Sequence, residues 1–310
     1  MSSVNFKHNP VMLEQCIKGL NIDPSGTYFD GTVGGGGHSF EIARRLTTGK
    51  LLCTDKDRDA VYAASIKLKE FGNVLIKEGD YKDVRSLFGL KDNTLNGALL
   101  DLGVSSYQLD NAERGFSYNK DGLLDMRMNR SGATAADIIN TLEWQGIADI
   151  LRRYGEEPHA ALIARKIVSE RDKQPITTSL QLNDVVIAAL PAAARRKEKH
   201  PARRTFQALR IAVNDELGIL EQGLDEIFNV LAPRGRLCVI TFHSLEDRIV
   251  KHYMTSLMIS CTCPPDFPQC VCGKSVQARP VTKKPMTASE EECEDNRRSR
   301  SAKLRIIEKI

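Results

Sequence analysis

The sequence predicts an α/β fold with a mostly parallel sheet that is interrupted by a helical block. Three observations support this prediction. Short β-prone runs alternate with helical runs between residues 27 and 101. A glycine-dense turn separates the first predicted strand from a helix. Helical periods alone fill residues 115–215, and a strand-like run then returns at 236–241. The helical block is therefore interpreted as an insertion within the α/β domain.

The first third of the chain supplies four strands and the helices between them. A short amphipathic helix is expected over 8–20. Strands are predicted at 27–31, 50–54, 74–77 and 96–101, and helices at 39–47, 57–70 and 82–88. Ligands bind at the carboxyl ends of the strands in such sheets, so the residues that follow these strands form the candidate site.

The glycine-dense turn predicts a site for a nucleoside cofactor. An extended run ends in Asp30, and glycines up to Gly37 let the backbone adopt positive φ angles and approach a ligand. The next strand ends in Asp55, 18 residues after Gly37, where a carboxylate binds ribose hydroxyls in nucleotide-binding βαβ units. A tight turn in an unrelated α/β protein is the alternative. The turn by itself does not distinguish NAD from S-adenosylmethionine.

The fourth predicted strand also ends in an acid, Asp101. Small and polar residues follow it, among them Ser105 and Ser106. Such residues after a buried strand are placed to meet a substrate at the edge of the sheet. An ordinary βα loop is the alternative interpretation.

Three features of the helical block bear on function. Thr134 is predicted to cap a helix that runs through Arg153, and two further helices are expected at 159–171 and 180–190. The leading loop, 115–128, mixes aromatic, arginine and glycine residues, which suits base stacking and phosphate contact or plain loop packing. The run 195–204 carries six lysines or arginines and one acid, so it is either a nucleic-acid contact or a solvated face.

The remaining third returns to the α/β pattern. A long helix is predicted from Phe206 to Leu231, ended by Pro233 and Gly235, before the strand at 236–241. His243 follows that strand and is either a base or substrate contact, or a cap of the next helix. The alternating residues 303–309 predict a last strand that pairs antiparallel at the edge of the sheet.

Four of the eight cysteines are concentrated in a short segment, which suggests a structural zinc site formed by Cys261, Cys263, Cys270 and Cys272. Free thiols are the alternative, because each pair has one intervening residue where two or more are usual. The net charge is only +4, and the longest apolar run, 185–194, is too short to cross a bilayer. The N-terminus has no apolar core of a signal peptide. A soluble, cytoplasmic protein with no membrane partner is expected.

Nine groups of motifs are distributed in order along nearly the whole chain. They are His8 with Pro10–Leu13, Phe29–Thr32 with Gly36–Ser39, Leu99–Ser106, Gln108–Asp110 with Glu113–Ser117, Gly122 with Leu124–Met128, Tyr154–Glu157, His200–Ala202 with Arg204–Ala208, Phe242–Lys251, and Arg298–Ser301. These motifs resemble those of the bacterial family that methylates cytosine N4 in small-subunit ribosomal RNA. Their number and order make this resemblance far more specific than any glycine motif.

The resemblance implies a class I S-adenosylmethionine-dependent methyltransferase with a Rossmann-like, mostly parallel sheet and an inserted helical domain. The methyltransferase domain would comprise 1–114 and 216–310, and the substrate-recognition domain 115–215. The implied substrate is a decoding-site cytosine, position 1402 of 16S rRNA, within the small ribosomal subunit. The sequence does not distinguish naked RNA from the assembled subunit as the form that is methylated. The implied cofactor contacts are Gly36, Gly37, His38, Asp55, Tyr81, Asp101 and Gln108.

A chemical role follows for the residues after the fourth strand. The methyl of the cofactor is already activated, whereas a conjugated exocyclic amine attacks poorly and must be oriented by hydrogen-bond acceptors. Asp101, Ser105 and Ser106 are the candidates, although Asp101 could instead serve the cofactor alone. Two other functions stay open: a nicotinamide-dependent oxidoreductase, and a non-catalytic RNA-binding assembly protein. The sequence does not predict the oligomeric state.

Overall fold

A computed structural model describes residues 10–197, 200–263, 269 and 271–310. The chain divides into two compact units. The first takes the chain up to Gly103 and again Leu217–Ile310, and the second is Val104–Glu216. The second unit thus also includes residues 104–114, which the sequence analysis assigned to the methyltransferase domain.

The strands and helices are numbered along the chain. The strands are β1 (Thr27–Asp30), β2 (Lys50–Asp55), β3 (Val74–Glu78), β4 (Leu95–Asp101), β5 (Leu231–Thr241), β6 (Ala278–Pro280), β7 (Met286–Thr287) and β8 (Lys303–Lys309). The helices are α1 (Leu13–Leu20), α2 (Gly37–Ala43), α3 (Arg58–Lys67), α4 (Val84–Phe88), α5 (Ser106–Asp110), α6 (Ala135–Thr141), α7 (Trp144–Gly155), α8 (Ala160–Arg171), α9 (Ser179–Ala189), α10 (Ala192–Lys197), α11 (Arg203–Asn214), α12 (Glu216–Val230), α13 (Ser244–Leu257) and α14 (Glu290–Asp295).

All of the strands join one sheet in the first unit. Its order is β3-β2-β1-β4-β5-β8-β6, with β7 also paired to β8. The first five strands of that order run parallel, and β8 is antiparallel to each of its neighbours. The predicted α/β fold with a mostly parallel sheet is therefore confirmed.

Both faces of this sheet are covered by helices. Successive side chains of a strand point to opposite faces, so Tyr28 and Leu99 enter one apolar core while Phe29 and Leu100 enter the other. The first core contains residues of α1 and α2, and the second contains residues of α12 and α13. Burial on both faces explains why these strands read as nearly continuous apolar runs.

The predicted helix from Thr134 to Arg153 is wrong in its length, because it is two helices. Its start is confirmed, since Thr134 Oγ1 accepts the backbone N–H of Asp137 at 3.0 Å. Helix α6 ends where Leu142 turns to extended backbone, with ψ 145°. Arg171 donates to the carbonyls of Ile139 and Leu142, both at 2.6 Å, and so satisfies that helix end. This bond joins residues distant in sequence, so helical periodicity could not predict it.

The predicted long helix from Phe206 to Leu231 is also wrong, because the chain breaks at Asp215. That residue has a left-handed backbone, with φ 47°, and separates α11 from α12. Arg210 and Glu216 form an ion pair across the break, with nitrogen-to-oxygen distances of 2.8 and 2.9 Å. The apolar period continues through both helices, which is why the sequence suggested one.

The strand after α12 begins earlier than predicted. Strand β5 starts at Leu231, so Pro233 and Gly235 lie inside it and do not terminate the helix. The pairing with β4 is irregular there, passing from Leu231 opposite Leu95 to Arg236 opposite Gly97. A bulge of this kind accommodates a proline that has no N–H for the ladder.

Strand β8 pairs antiparallel with β5 as predicted, but its predicted place at the edge of the sheet is wrong. The short strand β6 covers its other side and pairs Pro280 with Ile307. Three residues that end in proline carry no alternation from which a strand could be predicted.

The second unit contains the seven helices α5–α11 among its described residues, around one apolar core. Fully buried side chains from several helices form this core, including Ile139, Leu151, Ile163, Leu182 and Leu209. Among the described residues, no helix is both long and apolar enough to span a membrane.

Substituting Gly122 with alanine should strongly destabilise the second unit. An added Cβ would lie 1.9 Å from the carbonyl oxygen of Ala112, and a backbone atom cannot yield as a flexible side chain can. We expect a loss of about 3 kcal/mol or more in the free energy of unfolding, measured by denaturant titration. Gly72→Ala is the matched control, because its Cβ would meet nothing within 4 Å. Equal stability of the two variants would contradict this packing.

Candidate functional site

The glycine turn follows β1 and leads directly into α2. Gly34 and Gly36 have φ angles of +49° and +73°, a region that residues with a side chain rarely adopt. A Cβ on Gly37 would lie 2.4 Å from Cγ of Pro10. The turn therefore needs glycine for its backbone conformation and for a close approach to another part of the chain.

Asp55 ends β2 and holds this turn in place. Its Oδ2 accepts the N–H of Gly34, and its Oδ1 accepts the N–H of Asp57, both at 3.0 Å. Burial raises the pKa of Asp55 to about 6, although both hydrogen bonds favour the charged form. Each carboxylate oxygen keeps a second lone pair, so both can still accept a hydroxyl from a ligand.

Asp30, which sequence reasoning did not place in the site, is part of the same edge. It ends β1, between Asp55 on one side and Asp101 on the other. Its carboxylate accepts the hydroxyl of Ser39 at 2.6 Å and the N–H of Thr32 at 3.2 Å. Burial raises its pKa to about 6. An acid at the end of the first strand was the only signal in the sequence that could have identified it.

Asp101 ends β4 and offers an oxygen that no described residue binds. Its backbone N–H donates to Oγ1 of Thr32 at 2.6 Å, which fixes the strand end against the glycine turn. Its Oδ1 is buried and has no hydrogen-bond partner among the described residues, while the side chain as a whole stays 25% exposed. Burial, and then the nearby charges of Asp30 and Glu246, raise its pKa to about 8.

His38 faces Asp101 from α2. Burial lowers the pKa of this histidine to about 4, so the ring is neutral at pH 7. Its Nε2 lies 3.0 Å from the carbonyl oxygen of Val11, which can only accept, so Nε2 carries the proton. The unprotonated Nδ1 then faces Oδ2 of Asp101 at 3.7 Å. This arrangement favours a protonated Asp101 before any ligand binds.

Tyr81 lies just beyond β3 in a short turn of 3₁₀-helix, and it is buried. Its ring packs against Gly223 of α12, where a Cβ would come within 2.4 Å of it. A Cβ added to Gly31 of the glycine turn would likewise come close to the Cβ of Tyr81. Packing on both sides thus fixes the side chain of Tyr81 beside the glycine turn. Its contact with a cofactor stays a prediction.

The remaining predicted cofactor and substrate residues lie in the second unit. Ser105 Oγ accepts the N–H of Gln108 at 3.2 Å, and Gln108 Oε1 accepts the N–H of Ser105 at 2.9 Å. These two bonds form a capping box at the start of α5, whose first residue is Ser106. Gln108 is buried, so the structure assigns it a helix-capping role. Its cofactor contact, and the roles of Ser105 and Ser106, stay predictions.

The leading loop of the second unit is largely packed. Phe116, Met126 and Met128 are buried in the unit's apolar core. Asn214 accepts the N–H of Met128 at 2.8 Å and donates to the carbonyl of Met126 at 2.7 Å. Of the two interpretations of this loop, these contacts favour loop packing for the buried residues. Tyr118 stacks on the ring of His200, with 4.1 Å between the ring centroids.

The basic run 195–204 spans the end of α10 and the start of α11, with residues 198 and 199 outside the described part. Arg195, Arg196 and Arg203 are exposed. Arg204 donates to the carbonyl of Glu156 at 2.9 Å and lines a cavity of about 340 Å³. The other lining residues are Glu157, Pro158, His159, Leu190, Pro191, Ala193, Ala194 and Pro201. An exposed basic face thus adjoins a concave surface within one unit.

His243 caps α13. Its Nδ1 accepts the N–H of Glu246 at 3.4 Å, and Glu246 Oε2 accepts the N–H groups of Phe242 and His243. Glu246 is buried, so this cap is a fixed part of the core. Of the two interpretations of His243, the structure supports the cap.

Three of the four predicted zinc ligands lie together. The sulfur atoms of Cys261, Cys263 and Cys272 are all within 4.8 Å of one another. Cys270 lies outside the described residues.

The edge formed by β1, β2 and β4 fits an adenosine-bearing cation. Asp55 offers paired acceptors for two neighbouring hydroxyls, and Asp101 offers a buried oxygen to which no residue in the described part of the chain donates. A bound positive charge would compensate the cluster of Asp30, Asp55 and Asp101. The glycine turn lets backbone and ligand approach closely.

The strand order β3-β2-β1-β4-β5-β8-β6 with β8 antiparallel, together with the glycine turn and the acids that end β1, β2 and β4, is the architecture of a class I S-adenosylmethionine-dependent methyltransferase. The sequence model of one family matches residues 5–310. The chain belongs to the MraW methylase family.

Relatives of similar length support the same assignment. The chain is 51% identical to the "Ribosomal RNA small subunit methyltransferase H" of Symbiobacterium thermophilum, covering 98% of this chain and 97% of the relative. The proteins of that name from Heliobacterium mobile and Lachnospira eligens are 50% and 49% identical, covering 99% of this chain and 100% and 99% of the relatives. Membership of a methylase family does not favour the two alternative functions considered above, a nicotinamide-dependent oxidoreductase and a non-catalytic RNA-binding protein.

Proposed function

We propose that this methyltransferase transfers the methyl group of S-adenosylmethionine to N4 of a cytosine, position 1402 of 16S rRNA, in the small ribosomal subunit. The buried Oδ1 of Asp101, which no described residue binds at the end of β4, carries the proposal for methyl transfer to an amine. The names of the relatives and the motifs quoted above support the choice of RNA.

Binding of the cofactor is assigned to residues of the first unit, and Gln108 stays a separate candidate from the sequence. Asp55 would accept the two ribose hydroxyls while keeping its bonds to Gly34 and Asp57. Gly36 and Gly37 would let the backbone approach the amino-acid end, and Tyr81 would pack near the adenine. When bound, S-adenosylmethionine supplies a methyl group already activated for transfer to a nucleophile.

The chain must then improve a poor nucleophile. The exocyclic amine of cytosine is conjugated with its ring, so its lone pair is only weakly available. Carboxylate oxygens of Asp101 would accept hydrogen bonds from the amine's N–H groups and hold its nitrogen in line for attack. As the nitrogen–methyl bond forms and the sulfur–methyl bond breaks, one amine proton would pass to the carboxylate of Asp101, with S-adenosylhomocysteine as the leaving group. Ser105 and Ser106 remain candidates for the same task. The base must also leave its stack before it reaches such a pocket.

The protonation state of Asp101 would control this step. In the structure its pKa is raised to about 8, first by burial and then by the charges of Asp30 and Glu246. A cation bound beside it would lower that pKa and favour the carboxylate, which accepts hydrogen bonds through both oxygens. His38 stays neutral, because burial holds its pKa near 4, and adds no competing positive charge.

The second unit is assigned to RNA recognition. Its exposed Arg195, Arg196 and Arg203 would contact phosphates, and the stacked pair of Tyr118 and His200 lies in the same unit. Burial of Phe116 removes it from the aromatic side chains that could stack on a base.

Reversing Arg195, Arg196 and Arg203 to glutamate should weaken RNA binding. Each lost phosphate contact lowers the slope of log affinity against log salt by roughly 0.7 to 0.9. We therefore expect a slope reduced by about 2 units, measured by fluorescence anisotropy with a 16S rRNA fragment at several salt concentrations.

The matched control for this change reverses Lys50, Lys69 and Lys91, which are exposed in the first unit and carry the same total charge. An unchanged affinity and salt slope in the arginine variant would contradict the RNA role of this face. So would an equal loss in the lysine variant, because the effect would then reflect net charge alone.

Label transfer tests the proposed reaction. Small subunits lacking the modification are incubated with the protein and methyl-labelled S-adenosylmethionine, and the labelled nucleoside is identified and mapped. We expect N4-methylcytidine at position 1402. Label on another base, or at another atom of cytosine, would contradict the proposal. Naked 16S rRNA in a parallel reaction distinguishes free RNA from the assembled subunit as substrate.

A further inference from the structure

Three cysteine sulfurs converge in the segment between α13 and β6. Those of Cys261, Cys263 and Cys272 all lie within 4.8 Å of one another. The sulfurs of Cys261 and Cys272 are 3.8 Å apart. Tetrahedral zinc with bonds of about 2.3 Å to sulfur places two ligand sulfurs about 3.8 Å apart. The observed spacing is thus the edge length of a zinc–thiolate tetrahedron.

Backbone donors point at each of the three sulfurs. The N–H of Thr262 lies 3.5 Å from the sulfur of Cys272, the N–H of Cys263 lies 3.3 Å from that of Cys261, and the N–H of Val271 lies 3.4 Å from that of Cys263. Hydrogen bonds of this kind stabilise negative charge on sulfur and orient metal ligands. The short spacing within each cysteine pair therefore does not exclude a metal.

The described residues next to these cysteines are mostly exposed. Cys261 and Cys272 are exposed, and Val271 is 72% exposed. The two ends of this segment are joined by a hydrogen bond, because the N–H of Gln277 donates to the carbonyl of Leu257 at 2.8 Å. Exposed residues such as those described here gain little order from apolar burial, so a cross-link is the stronger means of holding them in one conformation.

We propose that Cys261, Cys263 and Cys272 bind a structural zinc ion that closes this loop between α13 and β6. Each thiol releases its proton to solvent as its sulfur binds the metal. The site is independent of methyl transfer, because an activated methyl group needs no metal. The fourth cysteine of the sequence pattern, Cys270, lies outside the described residues.

Metal analysis of protein purified without chelator tests the site. We expect about one zinc per wild-type chain, and loss of that zinc in Cys261→Ser and Cys272→Ser. Cys293→Ser is the matched control, because Cys293 is partly exposed and outside the cluster, and it should keep its zinc. Reconstitution of the zinc-free protein with cobalt should produce the visible absorption of tetrahedral cobalt and sulfur-to-metal charge transfer.

A stability measurement distinguishes a bound metal from a misfolded variant. Chelator should lower the unfolding temperature of the wild-type protein and leave that of Cys261→Ser unchanged, with both proteins giving the same circular dichroism spectrum before heating. Absence of zinc from the wild-type protein, or a disulfide between Cys261 and Cys272 detected by mass spectrometry, would overturn the proposal. Zinc retained in both serine variants would overturn it as well.

Discussion

Replacing Asp101 with asparagine should lower the methylation rate by two to three orders of magnitude. The variant keeps the shape of the side chain and one acceptor oxygen, but it loses the negative charge that the attacking amine and the bound cation require. Loss of a single preorganised group of this kind typically costs about 10² to 10³ in turnover. Methyl-labelled S-adenosylmethionine and unmodified small subunits measure the rate.

The pH dependence of the same reaction identifies the group. Because burial raises the pKa of Asp101 to about 8, kcat/KM of the wild-type protein should rise as pH increases toward 8. In the cofactor complex a bound positive charge lowers that pKa, so the midpoint seen in kcat should lie below 8. Asp101→Asn should show neither rise. A wild-type profile that is flat between pH 6 and about 8.5 would contradict this role.

The Asp101→Asn substitution, which should lower the methylation rate, should raise the stability of the folded protein. A folded-state pKa above the ordinary value of 3.8 means that the folded protein resists ionisation of Asp101. The resulting penalty on stability begins as pH rises through 3.8 and is complete above about 8. Asp101→Asn removes the penalty, so this variant should unfold at a higher temperature than the wild-type protein at pH 8. At pH 4 the difference should be small.

Asp247 provides the matched control for this pair of effects. Lys303 and Arg305 bind its carboxylate at 3.0 and 2.7 Å and lower its pKa, although burial opposes them. Its contribution to stability is therefore present above the ordinary pKa and is lost as pH falls through the folded one. Asp247→Asn should be less stable at pH 7 yet keep its methylation rate. If both variants lose activity and stability together, a general packing defect explains Asp101.

Asp55→Asn should weaken cofactor binding by about 10²-fold. A carboxylate that accepts two hydroxyls contributes charge-assisted hydrogen bonds of roughly 1.5 to 3 kcal/mol each, and the amide can accept through only one oxygen. The same change releases either Gly34 or Asp57 from its backbone contact. Calorimetric titration with S-adenosylhomocysteine measures the affinity without requiring turnover.

Glu78→Gln is the matched control for Asp55. Glu78 is the register partner of Asp55 on the neighbouring strand, and it binds Arg58 at the surface. It should leave the affinity for S-adenosylhomocysteine unchanged. An Asp55→Asn variant with wild-type affinity would remove Asp55 from the cofactor site, whatever its effect on the glycine turn.

The parts of the molecule that the sequence could predict are those set by local patterns. The parallel strands follow from apolar runs bounded by turns, and Asp55 and Asp101 were identified because each ends such a run. The glycine turn was predictable for the same reason, since positive φ angles at Gly34 and Gly36 require glycine.

The features that the sequence could not predict depend on contacts between separate parts of the folded chain. Arg171 ends α6 by binding its last carbonyls, and no periodicity in the chain contains that information. The bond between Asp30 and Ser39 is formed only when α2 lies against β1. Phe116 looked available for base stacking, but the core of the second unit buries it. These positions required the folded chain.

The central claim is that acids at the ends of parallel strands bind the cofactor, and a crystal structure with S-adenosylhomocysteine tests it most directly. The account predicts both ribose hydroxyls at hydrogen-bond distance from Asp55, with the sulfur on the side of Asp101. A ribose bound away from Asp55, or an edge closed by side chains with no room for adenosine, would contradict it.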